Sequence, residues 1–220
     1  RLSGKNSGLL GINYFNYSNP VDNNKDGFTD LTLQNRISIF NKLTFGTKLS
    51  LATRFVYEDR WGGQMNWMAK YRGGDILYGE SIYTARFETF GKYELNSKLS
   101  FSFSFNNHNQ DSFYGLTPFN ANQTIGFGQL VWNKNIKRHD ILIGLAYRYT
   151  YYDDDTIATF NDVSKLNQET TTHLPGIFIQ DEIKFNLKNS LLLGFRYDNN
   201  SLHGNILTPR VNYKFNNQDK

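Results

Sequence analysis

Asp22, Asn24 and Asp26 occupy the first, third and fifth places of the run Asp22-Asn23-Asn24-Lys25-Asp26-Gly27-Phe28-Thr29-Asp30, with Gly27 sixth and Asp30 ninth. Calcium loops place oxygen ligands at this spacing, put glycine where the chain bends, and take a main-chain carbonyl from the seventh residue, here Phe28. The twelfth place, which a bidentate glutamate fills in a self-sufficient loop, holds Leu33. The run therefore reads as a calcium site of lowered affinity that borrows a ligand from a neighbouring loop. The competing reading is an Asx-rich turn closed on its own backbone.

A second concentration of chemistry lies in Trp61-Gly62-Gly63-Gln64-Met65-Asn66-Trp67-Met68-Ala69-Lys70-Tyr71-Arg72, which holds two of the three Trp and both Met. Large, adaptable apolar groups beside cations suit contact with an organic ligand, and Trp61, Trp67, Tyr71 and Arg72 are the candidates for it. An anchor among membrane headgroups, where Trp and Tyr settle, explains the same residues. His108, His139, His173 and His203 fall on different connections and lack the i, i+4 spacing of a helical zinc site. His108 and His203, on long loops, are the candidates for meeting a haem or a metal chelate. Asp153-Asp154-Asp155 follows a Tyr-rich stretch and reads as a solvated loop or, with His173 and Asp181, as carboxylates and imidazole that activate a water.

The chain contains no Cys, which excludes disulfides, thiolate metal sites and cysteine nucleophiles. Lys and Arg exceed Asp and Glu by 24 to 20, but they are scattered, so no nucleic-acid footprint forms. Gly126-Phe127-Gly128 is small–large alternation within a strand, and no glycine-rich phosphate loop opens a helix. The start, Arg1-Leu2-Ser3-Gly4-Lys5, does not read as a signal peptide.

The elements that must carry these residues are strands. Aromatics reach 16% of the chain, which suits pleated surfaces. Apolar residues recur at every second position: Leu31 to Ile39, Phe45 to Tyr57, Leu99 to Phe105, Ile141 to Tyr151, Leu191 to Tyr197 and Val211 to Phe215. Weaker runs fall near 8–18, 82–95, 123–133 and 174–186. About ten strands of 9–14 residues result. Short turns are expected near Asn41-Lys42, 95–98, 133–139, 186–190 and 216–218, and long loops near 19–30, 60–80, 108–122, 153–172 and 199–206. The alternate face carries both signs of charge, among them Arg54, Glu58, Arg86, Glu88, Arg148, Arg196, Asp198 and Arg210. Long strands, an apolar face rich in aromatics and alternating short and long connections describe an antiparallel up-and-down transmembrane β-barrel better than a soluble sandwich.

The segment Leu191-Leu192-Leu193-Gly194-Phe195-Arg196-Tyr197-Asp198, then Ser201-Leu202-His203-Gly204-Asn205-Ile206 and Thr208-Pro209-Arg210-Val211-Asn212-Tyr213-Lys214-Phe215, resembles the barrel of TonB-dependent outer-membrane receptors of the siderophore- and cobalamin-receptor type found in Bacteroidetes. Asp26-Gly27-Phe28-Thr29-Asp30, Asn35-Arg36 and Phe40-Asn41-Lys42 are similar to that family as well. The resemblance implies a bacterial outer-membrane protein, not an enzyme. It implies a 22-stranded barrel around an N-terminal plug that imports a bulky nutrient chelate (siderophore, cobalamin or haem) with energy from the TonB-ExbB-ExbD system. Residues 1–220 then form a partial barrel without plug or closing strand. Two further classes compete: a self-contained ten-strand barrel acting as an omptin-like protease, and a passive channel.

Overall fold

The structure is a computed structural model that describes residues 5–216. The expected turn near 216–218 lies largely outside the described residues, and so do residues 1–4. The alternating runs form strands β1 (Ser7–Tyr17), β2 (Leu33–Phe45), β3 (Leu49–Gly63), β4 (Gly79–Glu94), β5 (Leu99–Tyr114), β6 (Thr117–Ile136) and β7 (His139–Asp154). A two-stranded flap follows, β8 (Phe160–Asn161) and β9 (Leu166–Asn167), and then β10 (Thr170–Lys184), β11 (Asn189–Asn200) and β12 (Gly204–Phe215). Ten of these make one antiparallel sheet in the order β1-β2-β3-β4-β5-β6-β7-β10-β11-β12, with the flap as a separate hairpin. Among the described residues β1 and β12 each pair on one side only.

Unbroken register carries each face across the whole sheet. Arg54 stands opposite Glu88, and Glu88 opposite Asn106. Phe127 stands opposite Arg148, Arg148 opposite Leu174 and Phe178 opposite Arg196. These residues share one face. The other face runs through Phe55, Phe87, Phe105, Gly126, Tyr149 and His173. Its apolar groups are open: Leu145 is 55% exposed and Ile179 49%. The charged face is the enclosed one, with Ala52, Ala146 and Asp198 buried on it. Burial is thus inverted relative to a soluble sheet, as in the wall of a membrane barrel, where lipid covers the apolar side.

Three expected connections move. Asn41 and Lys42 lie within β2, paired with Thr53 and Ala52, and the turn falls instead at Gly46-Thr47-Lys48, where Gly46 takes a φ of +57°. The expected loop over 108–122 is almost entirely strand: β5 and β6 run on to a two-residue turn at Gly115-Leu116. Likewise β11 and β12 extend to a three-residue turn, 201–203. In the last two cases the strands continue past the apolar band, where both faces are polar and alternation no longer marks them.

Candidate functional site

Ion pairs line the enclosed face. Glu88 accepts from Arg54 Nε at 2.6 Å and from Asn106 Nδ2 at 3.2 Å, and is also paired with Arg86. Glu58 accepts from Arg60 Nε at 2.7 Å and faces Arg36 at 3.7 Å. Arg196 grips Asp198 with two bonds of 2.7 Å while its guanidinium lies over the Phe178 ring. Arg196 is fixed in planar two-point geometry, and the other guanidinium groups are held to the wall by their carboxylate partners. Arg148 differs: it is exposed and has no hydrogen-bond or ion-pair partner among the described residues. With Arg196, Ser104, Phe127 and Leu174 it lines a concavity of about 320 Å³ on that face. A free guanidinium beside a paired one can take a carboxylate, a phosphate or an anionic chelate. The sequence reading placed Arg148 on this face without distinguishing it, since only the pairing of its neighbours sets it apart.

His108 shares this enclosed face, opposite Arg86. His203 sits in the turn between β11 and β12, where its N–H donates to Asn200 Oδ1 at 3.1 Å. Three strands separate β5 from β11 in the sheet, so the two candidate imidazoles do not form one site.

Trp61, Trp67, Tyr71 and Arg72 fall on the opposite side. Trp61 stands opposite Ser81 on the outward face of β3, and the loop 64–78 folds back over that face. Its clasp is Arg72, whose Nε donates to Ser81 Oγ at 2.7 Å and whose Nη2 donates to Asp111 Oδ1 at 2.7 Å. The Arg72 guanidinium is held between the Tyr83 and Phe113 rings, 4.4 and 4.6 Å from their centroids. Trp67 is buried, its indole seated on Gly79. Parity along β3 reveals the side of Trp61, but nothing in the sequence shows that the loop returns over the same face.

The run 22–30 closes on itself. Asp22 accepts from the backbone N–H groups of Lys25, Asp26 and Gly27, at 2.7, 3.2 and 2.9 Å. Asp26 Oδ1 accepts from Phe28 N–H at 2.8 Å, and Asp30 Oδ2 from Asn23 at 2.7 Å. Gly27, at φ +84°, makes the bend that the sixth place requires. Among the described residues no group of three His, Asp or Glu converges as a metal cage; the carboxylates of this run are turned to its own backbone N–H groups.

Asp154, the last residue of β7, anchors the flap. Burial opposes its ionisation, but bonds from Tyr152 Oη at 2.7 Å, Thr156 at 2.9 Å and Thr159 Oγ1 at 2.8 Å outweigh it and hold its carboxyl below the usual carboxylate range. A water-activating set does not assemble around it. His173 points to the outward face and is bonded to Tyr147 Oη at 2.6 Å, whereas Asp154 lies on the enclosed side. Asp181 pairs instead with His139 at 2.6 Å, near the opposite end of the strands.

Residues 2–219 match the model of the family described as TonB dependent receptor-like, beta-barrel, and the chain belongs to that family. No curated protein matches it in sequence. Among solved structures it is similar to a variant of the ferric enterobactin receptor PfeA from Pseudomonas aeruginosa, at 11% identity and a TM-score of 0.64 over 99% of this chain and 38% of that one. The siderophore receptor PirA from Acinetobacter baumannii gives 13% identity and 0.65, over 99% of this chain and 37% of that one. The siderophore receptor PiuA from the same organism gives 10% identity and 0.55, over 96% and 42%. At these identities the likeness is one of fold. The chain spans about two fifths of those receptors.

Proposed function

We propose that this chain is part of the barrel wall of a bacterial outer-membrane receptor that binds a bulky nutrient chelate and imports it with TonB-supplied energy. The supporting observation is the two-sided wall: an open apolar face for lipid, and an enclosed face lined with ion pairs where the free Arg148 stands beside the paired Arg196. Ferric siderophores are the leading cargo class, since the similar solved proteins are described as ferric enterobactin and siderophore receptors, and many such chelates are anionic. Cobalamin and haem are the alternatives. Uptake of labelled ferric siderophore, cobalamin and haem, by cells with and without the whole receptor and with and without TonB, tests this directly. Loss of one cargo on removal of either protein is the expected result. Uptake that needs the receptor but not TonB would identify a passive channel instead.

Calcium at the run 22–30 belongs to the same proposal, as a clamp on the extracellular side. It would take oxygens of Asp22, Asn24, Asp26 and Asp30 and the Phe28 carbonyl in exchange for the loop's internal bonds. Millimolar calcium should then slow proteolysis within 19–32 in the wild type and leave Asp26→Ala unaffected. Equal cleavage with calcium and with chelator would leave only the self-closed turn.

A further inference from the structure

Beyond the apolar band the outward face changes character. One row of outward residues runs Tyr57, Ala85, Asn109, Asn122, Asp153, each standing opposite the next across β3 to β7. The row above it runs Tyr83, Asp111, Asn120. It is carried on to Asp155, which accepts from the N–H and the Nδ2 of Asn120, both at 2.9 Å. The two rows line a concavity of about 570 Å³. We propose that this trough binds a linear, uncharged oligosaccharide lying across the strands.

Spacing supplies the first argument. Neighbouring strands lie about 4.8 Å apart, close to the length of one pyranose unit in an extended chain. A chain of sugars crossing the strands therefore meets one side chain of each row per unit. Ala85, small and central, leaves the floor of the trough open. Hydrogen bonding is the second argument, because the polar groups are set before a ligand arrives. Asn122 Nδ2 donates to Asn109 Oδ1 at 2.6 Å, and Asn109 Nδ2 to Asn107 Oδ1 at 2.8 Å. Asn167 of the flap donates to Asp153 Oδ1 at 2.6 Å, and Arg72 of the loop 64–78 to Asp111 Oδ1 at 2.7 Å. Each of these carboxamides spends an N–H inside the ladder, while an amide oxygen has two lone pairs and a carboxylate about four acceptor sites. The trough is thus richer in acceptors than in donors, which suits a ligand built of hydroxyl groups. Asp111, Asp153 and Asp155 turn away phosphates and uronates by like charge. Tyr57, 41% exposed, adds an apolar ring face for the C–H side of a sugar. Position is the third argument. Asp153 follows Tyr151, the last of the alternating run on β7, and Asn109 lies beyond Phe105 on β5, so the trough opens to water past the lipid. Cargo in the lumen meets the other face.

The test uses the intact receptor in an amine-oxide detergent, which carries no sugar, titrated calorimetrically with cellohexaose, mannohexaose and hexagalacturonate. At least one uncharged hexaose should bind, and hexagalacturonate should bind at least about tenfold more weakly. Asn122→Ala and Tyr57→Leu should each weaken the uncharged ligand about tenfold, the worth of one net hydrogen bond or ring contact. The heat-resistant folded form should persist on electrophoresis in both variants, and chelate uptake should be unchanged. Absence of binding by both uncharged hexaoses would overturn the proposal, as would equal binding of hexagalacturonate or binding that survives both substitutions. Loss of saccharide binding together with chelate uptake would also overturn it, by placing the sugar on the cargo route. A wild-type receptor that takes up no chelate would sink the transport reading and leave the titration intact.

Discussion

Replacing Gly79 with valine should eject the Trp67 indole from the outward surface and release the loop 64–78. A Cβ at Gly79 would lie 2.4 Å from Trp67 Cδ1 and Nε1, far inside van der Waals contact. Retreat is blocked on the other side. Gly63, at φ +145°, approaches so closely that a Cβ there would come within 2.5 Å of Gly79 Cα and of the Tyr78 carbonyl oxygen. The loop is moreover tied at both ends, by Gln64 N–H to the Tyr78 carbonyl at 2.9 Å and by the Arg72 clasp on Ser81 and Asp111. Overpacking of this kind costs about 3 kcal/mol locally, more than one loop's contacts supply, so the indole gives way before the sheet does. Trp emission should shift to the red and the loop should become the first site of proteolysis, with the barrel still folded. Unchanged emission would mean that Trp67 is not seated on Gly79.

The second large effect is expected on the enclosed face. Glu88→Ala removes the one carboxylate shared by Arg54, Arg86 and Asn106 and leaves two like charges facing each other. Breaking a fully buried pair costs several kcal/mol. Here the Glu88 side chain is 14% exposed but Arg54 and Arg86 are about 40% exposed, so solvent recovers part of the loss and about 2 kcal/mol is expected. The temperature at which the folded form disappears on electrophoresis should fall. Glu88→Gln, which keeps the amide acceptor but not the charge, should fall by a smaller amount. Equal midpoints for wild type and Glu88→Ala would show that the cluster is screened by water and contributes little.

The apolar band was legible in sequence because lipid demands alternation. Every odd residue from Leu99 to Phe105 and from Ile141 to Tyr151 faces outward as the parity requires, and Ser100, Ser102 and Ser104 face inward. Above the band that demand ends. Asn107, Asn109, Asn120 and Asn122 pair across β5 and β6 as regularly as the phenylalanines do, yet polar residues on both faces look like a loop in sequence. The turn at Gly46 was misplaced for a related reason: Asn41 and Lys42 are turn formers by type, but one lies on the outward face and the other on the enclosed face of a continuing strand. For the site, the residue types in 61–72 single out the segment, but their side of the wall depends on a fold-back held by Arg72, a contact with Ser81 and Asp111 that spacing does not announce. Arg148 was one of many cations on the polar face, and it became distinct only once its neighbours were found paired.

The most direct test of the two-faced wall is thiol accessibility along β7 in the intact receptor reconstituted in bilayers. The segment contains no native Cys to remove. Single replacements Ile143→Cys, Leu145→Cys and Tyr147→Cys should resist a charged, membrane-impermeant maleimide and react with a lipid-soluble one. Leu142→Cys, Arg148→Cys and Thr150→Cys, on the other face, should show the reverse, giving a period of two. Uniform labelling along the strand, or alternation of the opposite phase, would contradict the assignment of lipid and lumen faces on which the receptor reading rests.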